Sequence, residues 1–449
     1  MDWPNLPDLL PWYTPAVKTS RDDLVVDVDK DNLVARMRRY FDPKTSNEEL
    51  GRLLPVAMTK TATFDPETVR ARLVKRGYSP GFLMTYAYRP LDMQWVYWEL
   101  ETNLLDRKRE ELYAARHGGN MFLTSRQKGE RTREGSPFFV TSSLADYHLT
   151  RPGSTCFALF DPVPVGQPGL GFDDANAKGQ RRPNLSAKAL QYLETLSINP
   201  ERNAGEADLI WMHVLAIGHS SGYLKENSGM LWQDWPRVPL PATRAALEAS
   251  AALGRRVAAL LDVEQPVKGV TTGMIDPALK VIGVITKAGT GGRPAQINDA
   301  DDLALTAGWG HAGRGGITMP ASGKTLPRDY TSEERAALCG ESCSAGTSDP
   351  LVLLGPTTLD VSLNEKVYWR NIPTAVWEYT LGGYQVIKKW LSYREQKLLG
   401  RALRAEEARH VTDTSRRLAA LLLLQPELDE NYRRVKESCY DFKESQSGQ

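Results

Sequence analysis

No uninterrupted apolar run in this chain exceeds Leu418–Leu424. A membrane-spanning helix needs about 18 or more such residues in a row. The chain must therefore bury its nonpolar side chains by packing many short amphipathic elements against one another. Its 41% hydrophobic and 25% charged residues are the composition of a globular protein. At about 100–200 residues per domain, its length predicts two to four domains or subdomains. The opening MDWPNLPDLLPWY is acidic and broken by proline, unlike a signal peptide. Four cysteines make no disulfide framework, which points to the cytoplasm. Cys339 and Cys343 lack a second Cys/His pair and read as two reduced thiols.

Local signals outline a mixed chain. A strand is expected at Leu24–Val28, and a helix from Asp31 to Phe41 capped by Asp29 or Asp31. Asp65-Pro66-Glu67 opens another helix that runs to Arg76 before Gly77. Aromatic-rich Phe82–Tyr88 and Trp95–Trp98 read as strands around an Arg89-Pro90 turn, and Asn103–Ala115 as a charged helix. Met121–Thr124 and Phe138–Thr141 are strands joined by the long basic connection SRQKGERTREGSP. Helices follow at Ser186–Ser197, Ala207–Gly218 and Thr243–Leu261. Residues 266–330 are dense in glycine and read as a small β-rich insert, with Val281–Thr286 its best strand. Beyond it, Ile387, Leu391, Leu398 and Ala402 fall on one helix face, as do Val411, Ser415, Leu418 and Leu422.

Tests for catalytic chemistry are negative. A DNA amino-methyltransferase needs an Asn/Asp-Pro-Pro-aromatic string to hold the flipped base. Asp161-Pro162-Val163-Pro164 and Asn199-Pro200-Glu201 both lack the second proline and the aromatic. No S-adenosylmethionine pocket is expected, and no other cofactor or metal. Ser322-Gly323-Lys324-Thr325 resembles the end of a phosphate-binding loop, but Thr318 stands where that loop needs glycine. Glu395-Gln396-Lys397 matches half of a nuclease motif, yet on a helix it reads as a solvated face. His213 and His219 are six apart, on different helix faces, and cannot share a metal.

What remains is segregated charge. The whole chain carries a net charge of +1, which excludes a uniformly basic nucleic-acid coat. Yet Asp106–Arg133 holds eight basic residues against four acidic, and Tyr384–Lys436 twelve against seven. Phosphates select Arg and Lys, and base edges select Arg, Lys, Asn and Gln. Arg126, Gln127, Lys128, Arg131 and Arg133 on the long connection suit groove-side contact with double-stranded DNA. The bland alternative is a basic hairpin that merely keeps the surface soluble.

Five strings then carry a resemblance. They are PAVKTSRDDLVV at 15–26, YRPLDMQWVYW at 88–98, LIWMHVLAIGHSSGYL at 209–224, WPRVPLP at 235–241 and VYWRNIPTAVWEYTLGGYQVIKKWLSYR at 367–394. In this order, over roughly residues 8 to 432, the chain resembles the C-terminal target-recognition (specificity) region of type ISP restriction-modification enzymes. Those enzymes join nuclease, helicase-like translocase, adenine-N6 methyltransferase and recognition domain in one polypeptide. The upstream catalytic parts have no counterpart here. The resemblance implies sequence-specific DNA recognition for a methyltransferase partner, with a nuclease-translocase as a further partner.

It also implies DNA-side roles for particular residues. Lys18, Thr19 and Arg21 sit where the family chain leaves the methyltransferase. Arg89 is held by the turn at Pro90, and Gln94 stands where the family usually carries Arg. Lys388, Lys389 and Arg394 are candidate phosphate contacts, while Trp95, Tyr97, Trp98, Trp369, Trp377 and Tyr379 read as core. The expected fold is α+β: a mixed-sheet recognition lobe (1–155), a linker and helical region (156–262), a Gly-rich β insert (263–366) and a C-terminal helical bundle (367–449). Two other readings stay open: a methyltransferase or restriction-enzyme fragment active only when joined to a catalytic domain, and a protein-interaction scaffold in a phage-defence complex.

Overall fold

Helix Lys30–Phe41 begins at Asp29, whose carboxylate accepts from the amides of Asp31 and Asn32. Helix Pro66–Arg76 begins at Asp65, which accepts from Thr68 N, with Pro66 in the first turn and Gly77 at the end. These caps satisfy amides that the first helical turn leaves without partners. In the computed structural model, the described residues are 3–116, 119–130, 134–162, 181–289, 295–297, 300–313, 317–340 and 349–442. They form two compact units, each interrupted along the chain. The mixture of helices and small sheets is α+β.

The first unit comprises Pro7–Arg126 and Val140–Ala189. In one of its sheets, Leu83–Arg89 and Asp92–Tyr97 form an antiparallel hairpin, extended by Val26–Asp27 on one side and Leu144–Ala145 on the other. The register slips between Ala87 and Arg89, a bulge that re-aims Tyr88. Leu33, Met37, Tyr40 and Phe41 are buried beneath it, and Phe41 meets Tyr97 edge-on at 5.6 Å. A second sheet orders Tyr13–Pro15, Thr155–Ala158, Phe122–Ser125 and Phe139–Thr141.

Two local expectations change in this unit. Leu24–Val28 is a helical turn, Asp22–Val25, followed by the short strand Val26–Asp27. Arg36 stabilises it by donating to the carbonyls of Leu24 and Val26. The charged stretch from Asn103 is helical only over Glu110–Ala115. Arg21 donates to the carbonyls of Asn103 and Leu104, and Arg107 exchanges backbone bonds with Lys18. Those long-range bonds outcompete helix propensity, which contributes only tenths of a kcal/mol per residue.

The second unit comprises Met1–Leu6, Gln127–Phe139 and Leu190–Gln449. Every residue of helix Leu209–Gly218 is buried. Helix Arg244–Leu261 lies against it at Gly254, where a Cβ would fall 1.9 Å from Met212 O, so the backbones approach too closely for any side chain. Gln425–Glu437 packs on both helices, and Ala405–Leu423 on Arg244–Leu261. The Gly-rich region supplies Val284–Lys287 and Thr325–Arg328, the edges of an antiparallel sheet centred on Thr358–Ser362 and Val367–Pro373. Trp369, Val361 and Val367 bury one face of it, and Trp369 Nε1 donates to Ala408 O at 3.0 Å.

The single helix face read over 387–402 is divided between Val386–Ser392 and Gln396–Leu399. The break is at Glu395. Its two carboxylate oxygens accept from Gly308 N (3.0 Å) and Trp309 N (2.7 Å). Glu395 is buried, so the solvated face expected for Glu395-Gln396-Lys397 is replaced by a carboxylate holding a loop. Thr325 after Ser322-Gly323-Lys324 begins a strand, so that string opens no phosphate-binding helix.

Candidate nucleic-acid interface

Segment Ala16–Ser20 of the first unit is laced on both sides. Ala16 N donates to Ser154 O, Val17 N to Ala145 O, and Tyr147 N to Val17 O. On the other side Lys18 pairs with Arg107, and Asp106 N donates to Thr19 O. Ser20 is held at φ +56°, a left-handed conformation that costs a non-glycine residue roughly 1 kcal/mol or more. Below it, Thr19 Oγ1 donates to one oxygen of Asp22, and Tyr88 OH donates to the other at 2.7 Å. Tyr88 leads into Arg89, whose Nη1 donates to Asp146 Oδ1 at 2.7 Å. Asp146 also accepts from His148 N at 2.8 Å.

The structure therefore gathers Lys18, Thr19, Arg21 and Arg89 into one bonded cluster, but it presents them differently. Lys18 faces solvent, with 42% of its side chain exposed, and pairs with Asp106 at 3.0 Å. Arg21 is buried over the Phe64 ring, its guanidinium engaged by backbone carbonyls. Burial pulls its pKa below the usual arginine value, against the opposing charge of Asp106. Thr19, Arg89 and Gln94 are buried too, and Gln94 Nε2 donates to Asp92 at 3.1 Å. These four hold the turns in shape, and Lys18 is the member that faces solvent.

The basic connection is pinned at both feet within the second unit. Gly129 N donates to Leu231 O at 2.9 Å, and Gln127 reaches Asp234 at 3.5 Å. On the return, Gly383 N donates to Glu134 O at 2.9 Å. Gly135 takes φ +72°, and a Cβ there would sit 1.8 Å from Thr380 O. Next, Phe138 O accepts from the buried Nε2 of His219 at 3.1 Å. Gln127 and Lys128 are exposed and Arg126 is half-buried, whereas Arg131 and Arg133 lie outside the described residues.

The return foot thus rests on the Thr380–Gln385 hairpin, whose turn is Gly382-Gly383. That hairpin leads directly into helix Val386–Ser392, so the structure links two basic stretches that are far apart in sequence. On this helix Lys388 is half-buried. Lys389 is buried, with Nζ 3.3 Å from Thr318 O and 4.5 Å from the Tyr393 ring centre. Arg394 is buried over Trp390 and donates to Trp390 O at 3.2 Å.

His213 and His219 serve the interior. His213 Nε2 donates to Pro239 O at 2.8 Å, and its Nδ1 meets Ser250 Oγ at 2.7 Å. Burial pushes the pKa of His213 and of His219 down to about 4, against the bonds to Pro239 and Phe138 carbonyls. Among the described residues, no group of three or more His, Cys, Asp or Glu could hold a metal ion, and no helix is long and apolar enough to cross a membrane. Asp22, Tyr88, Asp106 and Asp146 are central here but were missed from sequence. Asp106 lies 86 positions from Ser20, and nothing local marks either as a partner.

Each unit thus anchors a basic segment by backbone bonds: Ala16–Ser20 in the first, the connection beyond Gln127 in the second. The family described as the Type ISP C-terminal specificity domain matches residues 8–420, and the chain belongs to it. Its fold is similar to that of a chain in a cryo-electron microscopy DrdV–DNA complex, with TM-score 0.55, 18% identity and 94% of this chain covered. It is also similar to a nuclease-deletion mutant of the Type ISP restriction-modification enzyme LlaGI in complex with a DNA substrate mimic (TM-score 0.53, 14% identity, 96% covered). A third likeness is to the ATP-dependent Type ISP restriction-modification enzyme LlaBIII bound to DNA (TM-score 0.56, 14% identity, 94% covered). The chain spans 35%, 33% and 23% of those three proteins, respectively. No curated protein sequence matches it.

Proposed function

We propose that this chain reads a specific sequence in double-stranded DNA for an adenine-N6 methyltransferase of a restriction-modification system and has no catalytic centre of its own. The observation that carries this is membership of the Type ISP specificity-domain family over residues 8–420. Three structures of similar fold are complexes with DNA or a DNA mimic, which supports the same reading. In this function Lys18, Arg126, Gln127, Lys128 and Lys388 meet the duplex, with phosphate contacts setting register and polar side chains on the connection reading the major groove. Arg131 and Arg133 belong to the same proposal by sequence. Thr19, Arg21, Arg89, Gln94, Lys389 and Arg394 act from beneath by holding those turns.

Selection of the purified chain on a random-sequence duplex library at two salt concentrations tests this. An enriched motif, with affinity falling steeply as salt rises, is expected, because each phosphate contact releases counterions. Absence of binding at either salt would overturn the proposal.

A further inference from the structure

Three solvent-facing donors converge on the carboxylate of Asp106. Lys18 Nζ lies 3.0 Å from Oδ2, and Ser20 Oγ donates to the same oxygen at 3.0 Å. Thr63 Oγ1 donates to Oδ1 at 3.4 Å. Ser20, Thr63 and the neighbouring Arg107 are exposed, while only 13% of the Asp106 side chain is. Asp106 thus forms the floor of a shallow ring of one ammonium and two hydroxyls. Burial opposes its ionisation, but the bonds from Lys18 and Ser20, with the charges of Lys18 and Arg107, outweigh that, and its carboxyl sits below the usual range. It is therefore charged at neutral pH.

An ammonium and hydroxyls held by a fixed backbone turn are also the donor set that binds a phosphate diester. The backbone here is fixed: Lys18 and Thr19 are bonded to Arg107 and Asp106, and Ser20 keeps its left-handed conformation. Lys18 can exchange partners at small cost, since its own side chain is 42% exposed and water screens its pairing with Asp106.

We infer that the Lys18–Ser20–Thr63 ring is a subsite for a DNA backbone phosphate, occupied in the DNA-free chain by Asp106 as an internal anion that the phosphate displaces. This rests on the DNA-binding reading above. Asp106 then works against binding in two ways. It engages Lys18 beforehand, and it repels the arriving phosphate. Only a duplex placed so that a phosphate meets all three donors overcomes both, so the carboxylate sharpens positioning at the expense of affinity.

The test is DNA affinity of the full chain, measured by fluorescence anisotropy on duplex DNA over a series of salt concentrations. Asp106→Asn keeps the size and an acceptor oxygen, and it tightens binding by about threefold or more, the scale of one exposed charge pair. Lys18→Ala weakens binding and lowers the salt slope by about 0.9, one phosphate contact. In the Lys18→Ala background, Asp106→Asn loses its benefit. Glu101→Gln, an exposed carboxylate of the same unit outside the ring, controls for net charge. Thr63→Ala removes an exposed hydroxyl, weakens binding and leaves the melting temperature unchanged, which gives a second readout that does not depend on the folding of an Asp106 variant. The inference is overturned if wild type binds DNA while Asp106→Asn has no effect, helps equally without Lys18, or is matched by Glu101→Gln. If wild type binds no duplex even at low salt, the DNA-binding reading itself fails.

Discussion

Replacing Glu395 with alanine removes one acceptor from two backbone amides at once. Gly308 N and Trp309 N donate to its two oxygens at 3.0 and 2.7 Å, in a loop where Trp309 is fully buried. Trp309 in turn donates from its indole to Ser362 O at 2.8 Å and meets Trp377 edge-on at 5.3 Å. Each hydrogen bond to a charged acceptor contributes about 1.5–3 kcal/mol, and a buried amide left without a partner loses its hydration as well. Losing both bonds should cost the second unit about 3–5 kcal/mol, allowing for partial relaxation. Glu395→Gln retains one acceptor oxygen and should cost roughly half of that. The assay is urea unfolding followed by tryptophan fluorescence, with amide hydrogen exchange at positions 308 and 309. A lower midpoint for the alanine variant, with lost protection of those two amides, is expected. A wild-type midpoint with protection intact would refute the reasoning.

Other consequences follow from the same geometry. Gly135→Ala forces a Cβ to within 1.8 Å of Thr380 O, so it should displace the return foot of the connection and weaken DNA binding; unchanged affinity in a binding titration would contradict this. Arg89→Ala leaves Asp146 buried without its guanidinium and should destabilise the first unit by about 3–5 kcal/mol in urea unfolding. Folded His213 and His219 titrate near 4 rather than 6.5, so the unfolded chain takes up protons first as pH falls. Stability should therefore be full above about pH 6.5 and decline towards pH 4, by roughly 3 kcal/mol per histidine, as read from urea midpoints across that range. Finally, Lys128→Ala should flatten the salt dependence of DNA binding by about 0.9 without changing stability. Arg21→Ala should do the reverse, lowering the melting temperature because its guanidinium holds the carbonyls of Asn103 and Leu104.

Much of the fold was legible because its signals are local. Asp65-Pro66 marks a helix start by cap chemistry, and the structure places both residues in those roles. The hairpin around Arg89-Pro90 follows from flanking aromatic runs. Trp98 and Trp369 were read as core and are fully buried. What failed did so where a distant group supplied the deciding bond. Arg36 turned an apparent strand into a helical turn, Arg21 and Lys18 kept residues 103–107 out of a helix, and Gly308 with Trp309 broke the helix at Glu395. The candidate site shows the same division. Its basic residues are visible in the chain, but Asp106 reaches Ser20 across 86 positions, Asp146 reaches Arg89 across 57, and Tyr88 reaches Asp22 across 66.

The sequence by itself determined that this is an α+β chain built of short elements, with segregated basic stretches and the motif order of a recognition region. Those properties depend on neighbours within a few residues: capping, periodicity and local charge. Only the tertiary structure decided which cations face outward. Lys18 and Lys128 remain exposed, while Arg21, Arg89, Lys389 and Arg394 are buried with carbonyls, aromatic rings or carboxylates. A long cationic side chain is equally suited to water and to a well-placed set of acceptors. Which it meets depends on where the rest of the chain has folded.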